Sequence, residues 1–344
     1  MVEIRGQQAT DWEDVYEMRR ASPGALPYIR PNWVRDELAR PGERAWPLVA
    51  VDHTAERTRV VARMDLQLGW ARRGHCAYLA FEQHPDYAGA PGRELLQEAI
   101  QVAESWWNKR RLQVTVAVTD PGTIRLFESF DFVQEARLRQ SIRIAGELVD
   151  EIVLARVTGE AAQPQEPAQP PPAPTRGRSE RHPQVTVRGG STDDWEAYHA
   201  IWSQPSVIWG TMQIPHTSAD WNRERVQKRQ PPRFWPLAAE VEGKLVGTTG
   251  LHWDEHNRAH VGHIGMMVHH DYQGLGVGSA LMEAVVDLAD NWLGMTRLQL
   301  EVYPDNERAI GLYGKYGFET EGLHRAFGYR DGRYVDTLVM GRLR

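Results

Sequence analysis

The sequence predicts an α/β protein built from two copies of one domain, each alternating helices with strands. Three observations predict it. Landmark residues recur at a constant offset, apolar positions in the second half switch between strand and helix periods, and a proline-rich stretch separates the two halves.

The landmarks come first. Arg5-Gly6 followed by Asp11-Trp12-Glu13 corresponds to Arg188-Gly189 followed by Asp194-Trp195-Glu196, and Trp46-Pro47-Leu48 to Trp235-Pro236-Leu237. Farther on, Trp106 and Trp292, Ile124 and Ile310, Phe132 and Phe318, and Asp150 and Asp336 are each 186 positions apart. An offset held over that distance marks a duplicated domain, not a short solenoid repeat. Between the copies, Pro164, Pro167, Pro170, Pro171, Pro172 and Pro174 stand among Ala, Gln and Glu. That composition buries little and favours extended polyproline II, so it reads as a spacer. The expected organisation is a first copy at 1–157, a linker at 158–183 and a second copy at 184–344.

Elements of the second copy follow in order. Residues 184–189 read as a strand, and Ser191 or Thr192 caps a helix running through His199. Strands at 237–241 and 245–252 flank Glu242-Gly243, a hairpin turn signal. Residues 259–268 form another strand. A helix at 276–293 follows, with Leu281, Val285 and Leu288 on one face. A strand at 297–303, a helix at 306–316 and a last strand at 334–343 complete the copy.

Composition bounds the function. The chain has 344 residues, 41% hydrophobic and 25% charged, with a formal net charge of −6. Those are values for two ordinary globular domains, and the negative balance argues against a nucleic-acid surface. No apolar run is long enough to cross a bilayer, and Met1-Val-Glu-Ile-Arg5 leads directly into a strand-like segment without a secretory signal. Cys76 is the single cysteine, so no intrachain disulfide forms, and a cytoplasmic location is expected.

The most informative segment is Gln273-Gly274-Leu275-Gly276-Val277-Gly278-Ser279, after an apolar strand and at the start of an amphipathic helix. Glycines let the backbone take positive φ and approach a ligand closely, while first-turn N–H groups favour an anion. A phosphate or diphosphate is expected there. A Walker loop would need Gly-Lys-Ser/Thr, and a dinucleotide fingerprint would need Gly-x-Gly-x-x-Gly opening the domain. Neither fits.

Gln273 to Gly278, together with Asn306, Ala309, Tyr313 and Gly317-Phe318, resembles the signatures of the GNAT acetyltransferase superfamily. The resemblance covers residues 184–344 and, more weakly, 1–157. It implies a mixed, mostly antiparallel sheet flanked by helices in each of two tandem domains. It also implies acetyl-CoA as co-substrate. Amides around Gln273, Gly274, Leu275, Gly276, Val277, Gly278 and Ser279 would hold the diphosphate. Met267 and Val268 would pair with the pantetheine arm, and Asn306 and Ala309 would border it. Gln204-Pro205, residues 211–216, Asp290-Asn291-Trp292 and residues 332–336 are similar to bacterial enzymes that acetylate free L-amino acids.

Acetyl transfer needs a neutral amine and protonation of the departing thiolate. Tyr313 stands where the family places the acid and is also counted among the cofactor contacts. Glu301, on the strand before Asn306, is the candidate base, with His263 in reserve. His216 and Trp209 are the candidate acceptor contacts. His252, His256, His260 and His263 cross a hairpin without a cysteine, which argues against a metal. In the first copy Phe127 replaces Tyr313, Thr115 replaces Glu301, Ala88 replaces Gln273, and Pro91 removes a loop donor. A catalytic second copy with a silent first copy is expected, the two packed as an intrachain pseudo-dimer. The acceptor would be a small-molecule amine. Two alternatives stay open: a CoA-binding sensor or scaffold without turnover, and acetylation of a protein or peptide.

Overall fold

The computed structural model describes residues 2–22, 29–39, 42, 44–54, 58–87, 89–163, 183–228 and 233–344. Ala88 and nearly all of the proline-rich stretch lie outside the described residues. The chain divides into two compact units, one up to Pro164 together with Arg325–Phe327, the other formed by the remainder.

The first half contains β1 (Val2–Gly6), α1 (Trp12–Ala21), α2 (Pro31–Ala39), β2 (Ala45–Asp52), β3 (Arg59–Leu68), β4 (Cys76–Gln83), α3 (Ala90–Gln101), β5 (Arg111–Ala117), α4 (Pro121–Glu128), β6 (Val133–Ile144) and β7 (Glu147–Val157). The second half contains β8 (Val185–Gly189), α5 (Trp195–Trp202), α6 (Pro205–Gly210), α7 (Ala219–Lys228), β9 (Phe234–Val241), β10 (Lys244–Trp253), β11 (Val261–Val268), α8 (Val277–Asp287), β12 (Arg297–Val302), α9 (Glu307–Lys315), β13 (Glu319–Arg330) and β14 (Arg333–Leu343).

Both halves use one strand order, β1-β2-β3-β4-β5-β7-β6 and β8-β9-β10-β11-β12-β14-β13. In each, a single neighbouring pair is parallel: β4 with β5, and β11 with β12. A parallel pair needs a crossover, and α3 and α8 supply it. The repeated landmarks build the same local contacts. Arg5–Asp11 at 2.7 Å recurs as Arg188–Asp194 at 2.8 Å, and the buried pair Arg111–Glu135 at 2.7 Å recurs as Arg297–Glu321 at 2.5 Å.

In the second half, the side-chain alternation of β10, β11 and β12 sends residues to two different cores. Leu251, Ile264, Leu298, Leu300 and Val302 pack against Leu281, Met282 and Val285 of α8. On the other face, Tyr198, Ile201 and Trp202 of α5 pack with Val207 and Val226 around Ala238 and Leu245, and Met267 joins them.

The structure departs from the sequence expectation in three places. The helix expected to run to residue 293 ends as an α-helix at Asp287, and Leu288–Trp292 continue as a wider turn closed by Leu293 N donating to Leu288 O, 3.0 Å. α6 and α7 lie between the expected first helix and first hairpin. β13 has no counterpart in the expected order, because register shifts at Thr320/Gly322 and His324/Gly328 break the two-residue alternation that marks a strand.

Candidate functional site

β11 and β12 pair only from Val261↔Arg297 to His263↔Gln299. Both strands then continue, β11 to Val268 and β12 to Val302, without facing pairs. Their outer edges are satisfied by β10 and β14. A gap therefore opens between the facing edges, and its backbone donors and acceptors suit an extended chain laid in as an additional strand.

The gap leads to the glycine loop. A single helical turn at His270–Tyr272 follows β11, and Gln273 N donates to His270 O, 3.2 Å. Gly274 has φ 80° and Gly276 φ 86°, conformations that side-chain-bearing residues adopt only at a cost. Gly276 is the N-cap of α8 and brings no side chain to bond its first turn. The N–H groups of Val277, Gly278 and Ser279 consequently have no intrahelical acceptor and present the positive end of the helix dipole. Gly278 permits the close approach of α9, since a Cβ there would stand 3.1 Å from Leu312 Cδ2.

Side chains brace this loop on both sides. Gln273 Nε2 donates to Val268 O at 3.2 Å, and Gln273 Oε1 accepts from Arg308 Nη1 at 2.9 Å. His270 N donates to Gln204 Oε1 at 2.6 Å, and the His270 ring bonds Ser206 Oγ at 3.0 Å. Sequence reasoning missed Arg308, although it stands two positions after Asn306 in the same signature.

Asn306 is the N-cap of α9, its Oδ1 accepting from Ala309 N at 3.3 Å. That bond occupies the Ala309 amide and one end of the Asn306 carboxamide. Four residues beyond Ala309, Tyr313 is 9% exposed and packs with Leu300, Val302 and Phe318. Burial pushes its phenol up to about 12.

Glu301 lies on β12 between buried Leu300 and Val302 and is exposed. Its side chain therefore leaves the sheet on the face opposite Tyr313. His263 shares that face but is tied at both ring nitrogens. Arg297 donates to Gln299 Oε1 at 3.1 and 3.3 Å, which turns Gln299 Nε2 toward His263 Nδ1 at 3.1 Å. His263 Nε2 then donates to Asp254 Oδ2 at 3.2 Å, and its ring stacks on His252 at 5.1 Å. His263 thus accepts at Nδ1 from Gln299 and donates at Nε2 to Asp254. The same bond holds the Asp254 carboxyl below its usual range.

Trp209 and His216 part company. Trp209 is half-buried under the guanidinium of Arg330, whereas His216 is exposed on the α6–α7 connection with φ 60°. Gln213, within the 211–216 segment, is buried, donates to Met267 Sδ at 3.4 Å and accepts from Arg225 Nη1 at 2.6 Å. Among the described residues, no group of three or more His, Cys, Asp or Glu side chains is placed to hold a metal ion. Among the same residues, no helix is long and apolar enough to cross a membrane.

Residues 195–318 match the family model of the acetyltransferase (GNAT) family. Over 162 residues the chain is 37% identical to the L-amino acid N-acetyltransferase AaaT of Escherichia coli, covering 47% of this chain and 99% of that protein. It is 25% identical to an uncharacterized N-acetyltransferase of Bacillus licheniformis, over 46% of this chain and 93% of the relative. Among solved structures, a GNAT-family acetyltransferase from Streptococcus pneumoniae aligns over 46% of this chain and 99% of its own, with 25% identity and a TM-score of 0.42.

Proposed function

The chain belongs to the acetyltransferase (GNAT) family, and from that premise we propose that residues 184–344 move an acetyl group from acetyl-CoA to the amine of a free amino acid. N-acetyltransferase activity comes with the family and its relatives. The acceptor, the site residues and the division of labour between the halves are the proposal. Its main support is the continuity of the β11–β12 gap with the glycine loop. A pantetheine arm laid along Met267 and Val268 would deliver its diphosphate to the amides from Gln273 to Ser279. The L-amino acid acceptor of the AaaT relative, 99% of whose length is matched, favours an amino acid here.

The chemistry follows from the two faces of β12. An amine is mostly protonated near neutral pH and must lose a proton before it attacks. Glu301 would take that proton directly or through water on its exposed face. Backbone N–H groups at the end of β11 would receive the tetrahedral oxyanion. Tyr313, on the other face, would meet the departing sulfur. A phenol near 12 keeps its proton throughout the neutral range, so it always presents a donor. Full transfer to a thiolate with an ordinary pKa of about 8.5 runs uphill by about 5 kcal/mol. Tyr313 thus serves chiefly as a hydrogen-bond donor that stabilises the thiolate, with solvent completing the protonation.

The first half, residues 1–157, is proposed as a non-catalytic copy joined by the 158–183 linker. It keeps a similar gap, since β4 and β5 pair only from Cys76↔Arg111 to Leu79↔Val114. The first turn of α3 differs, however: Pro91 brings no N–H there, and the Gln83 side chain and Phe81 pack against Gly92. Phe127 is fully buried and carries no hydroxyl.

The test is release of free CoA thiol from acetyl-CoA with the twenty L-amino acids assayed singly, beside polyamines and peptides. Transfer to one or more free amino acids supports the proposal. Turnover restricted to polyamines or peptides would replace the acceptor, and CoA binding without turnover on any amine would sink the catalytic reading.

A further inference from the structure

Arg330 is the last residue of β13, beside the Asp331-Gly332 turn, yet it is only 6% exposed. Its guanidinium lies 4.1 Å from the Trp209 ring centroid and 4.5 Å from that of Tyr303. Nη2 and Nη1 donate to the Asp305 carboxylate at 2.5 and 3.3 Å, and Nη1 also donates to Trp209 O at 3.1 Å. One cation thereby touches α6, the end of β12 and the connection into α9. Two neighbouring contacts draw the same segments together. Tyr303 Oη donates to Met212 Sδ at 3.2 Å, and a Cβ on Gly210 would stand 3.2 Å from Asn306 Nδ2.

Stability does not account for this arrangement. Arg330 Nε is buried with no hydrogen-bond partner among the described residues, which costs folding free energy. The ion pair and the two ring faces recover part of that cost, but buried pairs commonly add little over apolar groups of the same volume. Geometry offers a better account. The N-terminal end of α6 is already held by Gln204 and Ser206 on His270, and Arg330 holds the C-terminal end. Asp305 directly precedes Asn306, which caps α9 beside the mouth of the gap.

We propose that Arg330 is a positioning residue that transmits occupancy of the cofactor gap to the acceptor-side segment 208–216. This rests on the acetyltransferase reading of residues 184–344. A ligand that fixes Asn306 fixes Asp305, and through Arg330 it fixes the carbonyl and ring of Trp209. Such coupling is a difference in binding free energy between two sites, carried by an unbroken chain of contacts.

The test is hydrogen exchange of the full chain with and without saturating coenzyme A, for wild type, Arg330→Met, Arg330→Lys and Asp305→Asn. Coenzyme A is expected to slow exchange at 208–216 by about fivefold or more in wild type. Arg330→Met and Asp305→Asn lose that slowing and Arg330→Lys keeps part of it. In every variant coenzyme A affinity stays within about threefold, and slowing at 273–279 persists. Should Arg330→Met not fold, the Lys and Asn variants carry the comparison. Undiminished slowing in the variants overturns the proposal, as does a wild-type chain that binds coenzyme A without slowing at 208–216. A wild-type chain that binds no coenzyme A overturns the acetyltransferase reading and this inference together.

Discussion

Tyr313 and Glu301 lie on opposite faces of the sheet, Tyr313 buried in the core beneath α9 and Glu301 on the exposed face of β12. That division lets each be tested without disturbing the other. Tyr313→Phe keeps the ring and its packing against Phe318, 6.1 Å between centroids, and removes only the hydroxyl. Turnover should fall about 10–100-fold with coenzyme A affinity unchanged. An unaltered rate would remove Tyr313 from the mechanism.

The same substitution has a signature in stability. Burial raises the Tyr313 phenol from 10.0 to about 12, so the folded state favours its neutral form. The associated stability is complete below the unfolded value and is lost as pH rises through the folded one. The window is therefore pH 10 to about 12, and the loss amounts to about 2–3 kcal/mol. Denaturant titrations across that window should show a steeper decline in wild type than in Tyr313→Phe.

Glu301→Gln tests the other face. If the carboxylate removes the amine proton, the variant should be about 10–100-fold slower near pH 7. The deficit should shrink as pH approaches the pKa of the amine itself, because the acceptor then arrives neutral. A pH-independent deficit would assign Glu301 to acceptor binding instead.

Local chemistry makes much of the site legible in the sequence. Glu242 and Gly243 adopt φ of 51° and 73°, as a two-residue hairpin turn requires, and Asn306 caps α9 where the signature places it. Features that depend on distant partners are not legible in the same way. Arg330 meets Trp209 across 121 positions, and no periodic pattern encodes that contact. The bonds of His263 to Gln299 on the neighbouring strand and to Asp254 leave no periodic mark either. β13 is obscured because two bulges hide its alternation.

Gly276→Val probes the loop. At φ 86° a β-branched residue costs about 1–3 kcal/mol, and its side chain would crowd the amides of the first turn of α8. Coenzyme A affinity should fall by about 100-fold or more, since loss of about 3 kcal/mol of binding corresponds to that factor. Calorimetric titration of the folded variant decides it, and unchanged affinity would count against the diphosphate site.

Arg308 brings a side-chain cation to the glycine loop, on a chain of net charge −6. Arg308→Gln should weaken coenzyme A by about 3–10-fold at low salt, and by less as salt screens the charge. Dephospho-coenzyme A separates two sites of action. An equal loss places Arg308 on the diphosphate, and a loss confined to coenzyme A places it on the 3′-phosphate. Insensitivity of both ligands would leave Arg308 as a brace for Gln273 alone.

The first half permits a stricter test of silence than loss of function. Phe127→Tyr with Thr115→Glu restores both missing functional groups at their duplicated positions. Transfer should nevertheless stay at the residual level of the Tyr313→Phe variant, because Pro91 still denies the first turn of α3 an N–H donor. The added hydroxyl would enter a site where Phe127 is 0% exposed and makes edge contacts to Phe81 at 6.1 Å and Phe132 at 5.0 Å. Leaving it without a partner should cost about 1–3 kcal/mol of stability. Thiol release on the triple variant, beside its melting temperature, checks both statements. Recovered turnover in a destabilised chain would show that the first half binds cofactor after all, and that its missing hydroxyl and carboxylate were the sole defect.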